Sequence, residues 1–156
     1  MKRLKIYPET SIFGFVVGVR RARYADATER LFHEIEIGRV YAFTSTEVAR
    51  ELGKGPEPLR TDLFRLLRTY QLTELDVTDE ARELAEQYLQ AGIISQKAEP
   101  DALHIAIAVV NNLDVVVSWN LQHIVKTRAR LGVNGINKLS GYRKIDIATT
   151  EEVVSE

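Results

Sequence analysis

Asp101-Ala102-Leu103-His104-Ile105-Ala106-Ile107-Ala108-Val109-Val110-Asn111-Asn112-Leu113-Asp114-Val115-Val116-Val117 holds two elements back to back. Ala102 to Val110 are apolar nearly all round, as in a helix with protein on every side, and Pro100 just ahead suits a first helical turn. Asn111-Asn112 ends that helix. Val115-Val116-Val117 is the densest β-branched run of the chain, the mark of a strand buried on both faces. A buried helix feeding a buried strand implies a parallel sheet with helices packed on both sides.

Outward from this stretch the same alternation continues. Towards the N-terminus, Thr78 stands as a cap before Asp79 and Glu80, and Ala81, Leu84, Ala85, Tyr88 and Leu89 follow at helical spacing. Short strands are predicted at Leu4 to Tyr7, Val40 to Phe43 and Leu72 to Leu75. Helices are predicted at Ala25 to Ile37, after Thr44, and from about Leu59 to Tyr70. Gly53-Lys54-Gly55-Pro56-Glu57-Pro58 lacks the Gly-Lys-Ser/Thr ending of a phosphate loop and reads as a turn between two helices. Beyond the valine run, a helix from about Leu121 to Leu131, an edge strand at Ile145 to Ile147 and a short helix from Thr150 are expected.

The 156 residues match the usual size of one domain, so residues 1–156 are read as a single α/β unit. The absence of cysteine excludes disulfide scaffolds, zinc-thiolate sites, iron-sulfur clusters and cysteine nucleophiles. Neither a signal-peptide core nor a run of membrane-spanning length is visible, and a cytoplasmic protein is expected. With 21 Lys+Arg against 22 Asp+Glu the formal charge is −1, so any contact with nucleic acid must be local. Candidate basic clusters are Arg20-Arg21-Arg23, Lys126-Arg128-Arg130, and Lys138 with Arg143-Lys144, each of which also reads as an ordinary solvated face.

An open α/β sheet binds ligands at the carboxyl ends of its strands, near the point where strand order reverses. The polar residues expected there are Glu9 after the first strand, Glu47 and Glu51 on the helix after the second, Asp101 at the start of the buried helix, and Asn120 after the valine strand. Most have a structural reading as well. Glu47 stands three residues after Thr44, the spacing of a capping box. Asp101 suits the positive end of a helix, and Asn120 suits the cap of a helix beginning at Leu121. Glu9 alone has no helix start close enough to make capping obvious. His104 lies one turn after Asp101, where it can orient a carboxylate or simply be a satisfied core histidine.

Ile6-Tyr7-Pro8-Glu9-Thr10-Ser11-Ile12-Phe13-Gly14, Asp101-Ala102-Leu103-His104-Ile105-Ala106, Val117-Ser118-Trp119-Asn120-Leu121-Gln122-His123-Ile124 and Leu139-Ser140-Gly141-Tyr142 resemble, in this order, the PIN-domain family and its branch of VapC-like toxins. The resemblance implies a three-layer α/β/α sandwich with a mostly parallel sheet. It also implies a metal-dependent endoribonuclease in which Glu9, Glu51 and Asp101 hold Mg2+ or Mn2+, with Asn120 as a fourth catalytic position and Ser11 and His104 supporting the ligands. Glu9 falls where the family usually has Asp, and Asn120 where many members have a fourth Asp. RNA as substrate, a small antitoxin protein as partner and a homodimer follow from the same resemblance. The alternative is a catalytically silent PIN-like domain that binds RNA or a protein partner, a reading that the two departures and the near-neutral charge favour.

Overall fold

The structure, a computed structural model, describes residues 2–16, 22–120 and 123–154. Five strands form one sheet: β1 (Lys5–Pro8), β2 (Tyr41–Ser45), β3 (Thr73–Leu75), β4 (Val115–Val117) and β5 (Asp146–Ala148). Their order is β3-β2-β1-β4-β5, and every neighbouring pair is parallel. The helices are α1 (Thr10–Val16), α2 (Ala22–Glu36), α3 (Thr46–Leu52), α4 (Leu59–Thr69), α5 (Asp79–Gln90), α6 (Glu99–Val110), α7 (Thr127–Leu139) and α8 (Thr150–Val154). Helix α5 packs on α6 and α7 in one layer, and α2 packs on α1 and α8 in the other. The result is the α/β/α sandwich with a parallel sheet expected from the alternation.

The centre of the sheet is as apolar as its residues demand. Ile6, Tyr7, Val116 and Val117 are fully buried, and the body of α6 from Ala102 to Val109 is buried on every side except at Leu103. Each fully buried Ile or Val contributes roughly 1.5–3 kcal/mol relative to exposure, so this pair of elements anchors the fold. Helix α6 stops where predicted, with Asn112 at φ 57, the left-handed conformation in which Asn commonly closes a helix. Helix α5 also matches its sequence: Thr78 Oγ1 accepts from the Ala81 N–H at 3.1 Å, and the stripe from Ala81 to Leu89 is the buried one. No described helix is long and apolar enough to cross a membrane.

Three expectations are corrected. Helix α3 is capped by Ser45, whose hydroxyl accepts from Val48 N–H at 3.2 Å, while Thr44 lies in β2; Glu47 instead forms a two-point ion pair with Arg50. A short helix, α1, follows β1 directly, where no helix start is expected so close to Glu9. The helix expected from Leu121 to Leu131 runs from Thr127 to Leu139, because Lys126 is extended and the buried face is built from Ala129, Val133 and Asn137. Leu121 and Gln122 lie outside the described residues, as do Arg20, Arg21 and the side chain of Arg23.

Gly132 and Gly135 weaken the helical signal of α7, and the first of them is required by packing. A Cβ at Gly132 would lie 2.7 Å from Ile93 Cγ2. Helix α7 in turn seals the β5 side of the sheet. Asn134 donates to Ile145 O and accepts from Ile145 N–H, both at 2.8 Å, and Arg130 reaches Ile147 O at 3.4 Å. A backbone edge closed in this way offers less to a stray strand. Replacing Asn134 by Ala should leave two part-buried backbone groups unpaired and lower stability by about 1–3 kcal/mol. In urea titration the midpoint should fall at unchanged slope; an unaltered midpoint would show that solvent satisfies Ile145 equally well.

Candidate functional site

Strands β1 and β4 are adjacent in the middle of the sheet, and the order of strands reverses between them. Their carboxyl ends open into one mouth, the place where doubly wound sheets hold ligands. The backbone N–H of Glu9 donates to Val117 O at 3.0 Å, which carries the β1–β4 ladder one residue beyond β1 and fixes where Glu9 begins.

The Glu9 carboxylate is buried, with 3% of the residue exposed. Its Oε1 accepts from the Ser11 N–H at 2.7 Å, and its Oε2 accepts from the hydroxyls of Ser11 and Ser118, each at 2.5 Å. Ser11 N–H belongs to the first turn of α1, so Glu9 does cap a helix, contrary to the sequence reading, because that helix starts one residue later. The two serines extend the network: Ser11 Oγ accepts from Trp119 N–H at 3.0 Å, and Ser118 Oγ accepts from Asn120 N–H at 2.8 Å.

Glu51 comes from α3 and meets α1 and α6. Its Oε1 accepts from Thr10 Oγ1 at 2.5 Å and pairs with His104 Nε2 at 2.6 Å. Burial works to raise the Glu51 carboxyl, but the hydrogen bond and charge of His104, with help from Thr10, hold it below the ordinary carboxylate range. Burial likewise works to lower the His104 imidazole, and Glu51 in contact, with Glu9 and Asp101 nearby, raises it above its usual value. The other ring nitrogen, Nδ1, lies 2.6 Å from the Tyr7 hydroxyl, which lies 2.7 Å from Ser45 Oγ. Burial pushes the Tyr7 phenol far up, so it remains a protonated partner for both. His104 is therefore both a buried core residue and a positioning group, but the carboxylate it orients is Glu51, not Asp101.

Asp101, in the first turn of α6, accepts from Asn120 Nδ2 at 2.6 Å. Burial first, and then the negative charge of Glu9, push its carboxyl up to about 7, with His104 opposing the rise. Asn120 Oδ1 accepts from His123 N–H at 3.2 Å, so Asn120 closes a turn and does not cap α7. Trp119 is buried and donates its indole N–H to Thr28 Oγ1 at 3.0 Å.

The four positions anticipated for chemistry, Glu9, Glu51, Asp101 and Asn120, thus gather with Ser11 and His104 around one mouth. Ser118, bonded to Glu9, and Tyr7 and Ser45, bonded in line to His104, also support the mouth and carry no sign of it in the sequence. A tyrosine and a serine inside strand patterns carry no mark of the histidine and carboxylate they serve. A hard divalent cation needs several oxygens turned to a common point. Here both Glu9 oxygens and Glu51 Oε1 are engaged by protein donors, and Asp101 faces Asn120. Among the described residues no group of three or more His, Asp or Glu is placed to hold a metal. As placed, these carboxylates do not converge on one point where a Mg2+ or Mn2+ ion would sit.

No protein-family model matches the sequence, and no curated protein matches it. A likeness exists to a solved structure, that of VapBC2 from Rickettsia felis bound to a DNA fragment from their promoter. The TM-score is 0.53 at 14% identity, over 94% of this chain and 98% of that one. The fold is PIN-like. At this identity the likeness concerns the fold alone.

The raised Asp101 carboxyl has a measurable consequence. A carboxyl that binds its proton more tightly in the folded state than in the unfolded one contributes stability at low pH that is lost as pH rises through the folded value. Asp101→Asn keeps an acceptor for Asn120 and removes the charge. The variant should melt above the parent at pH 8, and the gap should close towards pH 5. A variant that melts below the parent at pH 8 would mean that Asp101 is not held against its charge.

Proposed function

We propose that this PIN-like domain acts by binding a macromolecular partner, RNA or protein, and that the acids at the mouth of its sheet serve to build that mouth. The observation that carries this reading is the bonding of the acids themselves. Glu9 is closed by Ser11 and Ser118, Glu51 by Thr10 and His104, and Asp101 by Asn120. A buried acid held by its own chain costs several kcal/mol to strip of those donors, so a cation must offer more than it displaces. The neighbour from Rickettsia felis is a VapBC2 assembly on a DNA fragment, which supports a binding role for a chain of this fold.

A second reading, a metal-dependent endoribonuclease restrained by a small antitoxin and working as a homodimer, is favoured by one observation. Glu9, Glu51 and Asp101 come from separate elements to the point of strand reversal, and Glu9 and Glu51 both push the Asp101 carboxyl up. In that reading Glu9, Glu51 and Asp101 would exchange protein donors for Mg2+ or Mn2+, whose chemistry is to activate water and neutralise phosphodiester charge. Asn120 would stand beside them.

Thermal melting across millimolar Mn2+ and Mg2+, with RNA cleavage measured in parallel, separates the two. A native-state ligand raises stability as ln(1+[L]/Kd). The binding reading expects no metal-dependent rise in Tm, and no RNA cleavage that differs between the parent and the Glu51→Gln or Asp101→Asn variants. A rise that grows with metal, together with cleavage abolished in both variants, would establish the ribonuclease instead.

A further inference from the structure

The stretch from Trp119 to Ile145 has a charge balance unlike the rest of the chain. It contains six Lys and Arg and no Asp or Glu, which, with −1 for the whole molecule, leaves the remaining residues at −7. Helix α7 lies within it and turns part of that charge outward. At 100° per residue, Arg128, Leu131, Gly135, Lys138 and Leu139 share an arc of about 100°, and all five are exposed. Neither Arg128 nor Lys138 has a side-chain partner among the described residues.

The same arc carries apolar surface. Leu131 is 69% exposed and Leu139 87%, more than any other large apolar side chain among the described residues. Single exposed leucines are ordinary. Here, however, the two stand one helical turn either side of Gly135, where a Cβ would meet nothing within 4 Å, so the backbone between them is open to approach. Leu131 also borders a cleft of 240 Å³ whose other walls are Thr127, Arg130, Asn134, Lys144 and Asp146, two cations against one acid.

We propose that this face of α7 docks an acidic amphipathic helix of a protein partner. Its apolar seam would lie along Leu131, Gly135 and Leu139, and its carboxylates would meet Arg128 and Lys138. An amphipathic helix is recognised by anchors at this spacing, and complementary charge sets its register and rate of encounter. A single-stranded nucleic acid would meet the cations equally well, but it binds through aromatic platforms, and this arc has leucines instead. The proposal rests on the binding reading above and names the class of partner.

The test uses the full chain and a labelled model peptide helix with a leucine seam flanked by glutamates, followed by fluorescence anisotropy. Oligouridine and a peptide with serine in place of leucine serve as comparisons. The parent should bind the leucine peptide at least about tenfold more tightly than the serine peptide. The surface pairs Leu131→Gln with Leu139→Gln, and Arg128→Glu with Lys138→Glu, should each weaken the leucine peptide by a similar factor while keeping the parental Tm. The proposal is overturned if the parent binds neither peptide, or if the leucine pair leaves peptide binding unchanged. It is also overturned if oligouridine binds more tightly and depends on Arg128 and Lys138 alone, an outcome that keeps a binding role but makes the face a nucleic-acid surface. Self-association in sedimentation that disappears in the leucine pair would assign the face to a second copy. Metal-dependent melting and cleavage would remove the binding reading of the mouth without altering any of these results.

Discussion

The buried carboxylate of Glu9 joins three pieces of chain that are far apart in sequence. Through Ser11 it starts α1, through Ser118 it reaches the end of β4, and through those two serines it orders the backbone of Trp119 and Asn120. Charge-assisted bonds of this kind are roughly twice as strong as neutral ones, and in a buried setting each leaves a costly orphan if it is broken. The position of Asn120, and hence the bond it makes to Asp101 on α6, depends on this cluster. The mouth of the sheet is therefore held from β1, with β4, α1 and α6 arranged around it.

A second network, parallel to the first, runs from Ser45 through Tyr7 and His104 to Glu51 and Thr10. It links β2, β1, α6, α3 and α1 through side chains alone. Each member satisfies the next, which suits an interior where an unpaired polar group costs more than the bond gains. Two acids are thus neutralised by local donors, and the third, Asp101, bears the remaining repulsion.

Most of the fold was legible because it depends on patterns that tertiary contacts reinforce. The apolar circumference of α6, the valine run of β4 and the capped stripe of α5 all admit one reading. The errors fell where a tertiary demand overrode a local one. Helix α7 carries two glycines, and Gly132 is there because Ile93 approaches too closely for a side chain. Helix α1 is built from Ile and Phe and starts at a glutamate that is not a usual cap. Of the site, Glu9, Glu51, Asp101, Asn120, Ser11 and His104 are legible in the sequence as candidates and share one mouth. Their mutual bonding was hidden, since neither Tyr7 nor Ser45 looks polar in purpose within a strand pattern, and the pairing of His104 with Glu51 spans 53 residues.

The extra methylene of Glu9 relative to Asp bears on what the mouth is for. A shorter acid at this position would hold its oxygens nearer the backbone. Glu9 instead folds one oxygen back to the first turn of α1 and extends the other to two hydroxyls, so all its acceptors point into protein. The chain's charges are arranged accordingly. Glu9 is turned inward with both oxygens matched, whereas Arg128 and Lys138 on the exposed arc of α7 are turned outward. A hydrolytic centre of the kind the resemblance implies requires acids whose oxygens are free to hold a divalent cation against the phosphate. An interaction module requires an unsatisfied outer surface, and the arc of α7 presents Arg128 and Lys138 with no side-chain partner among the described residues.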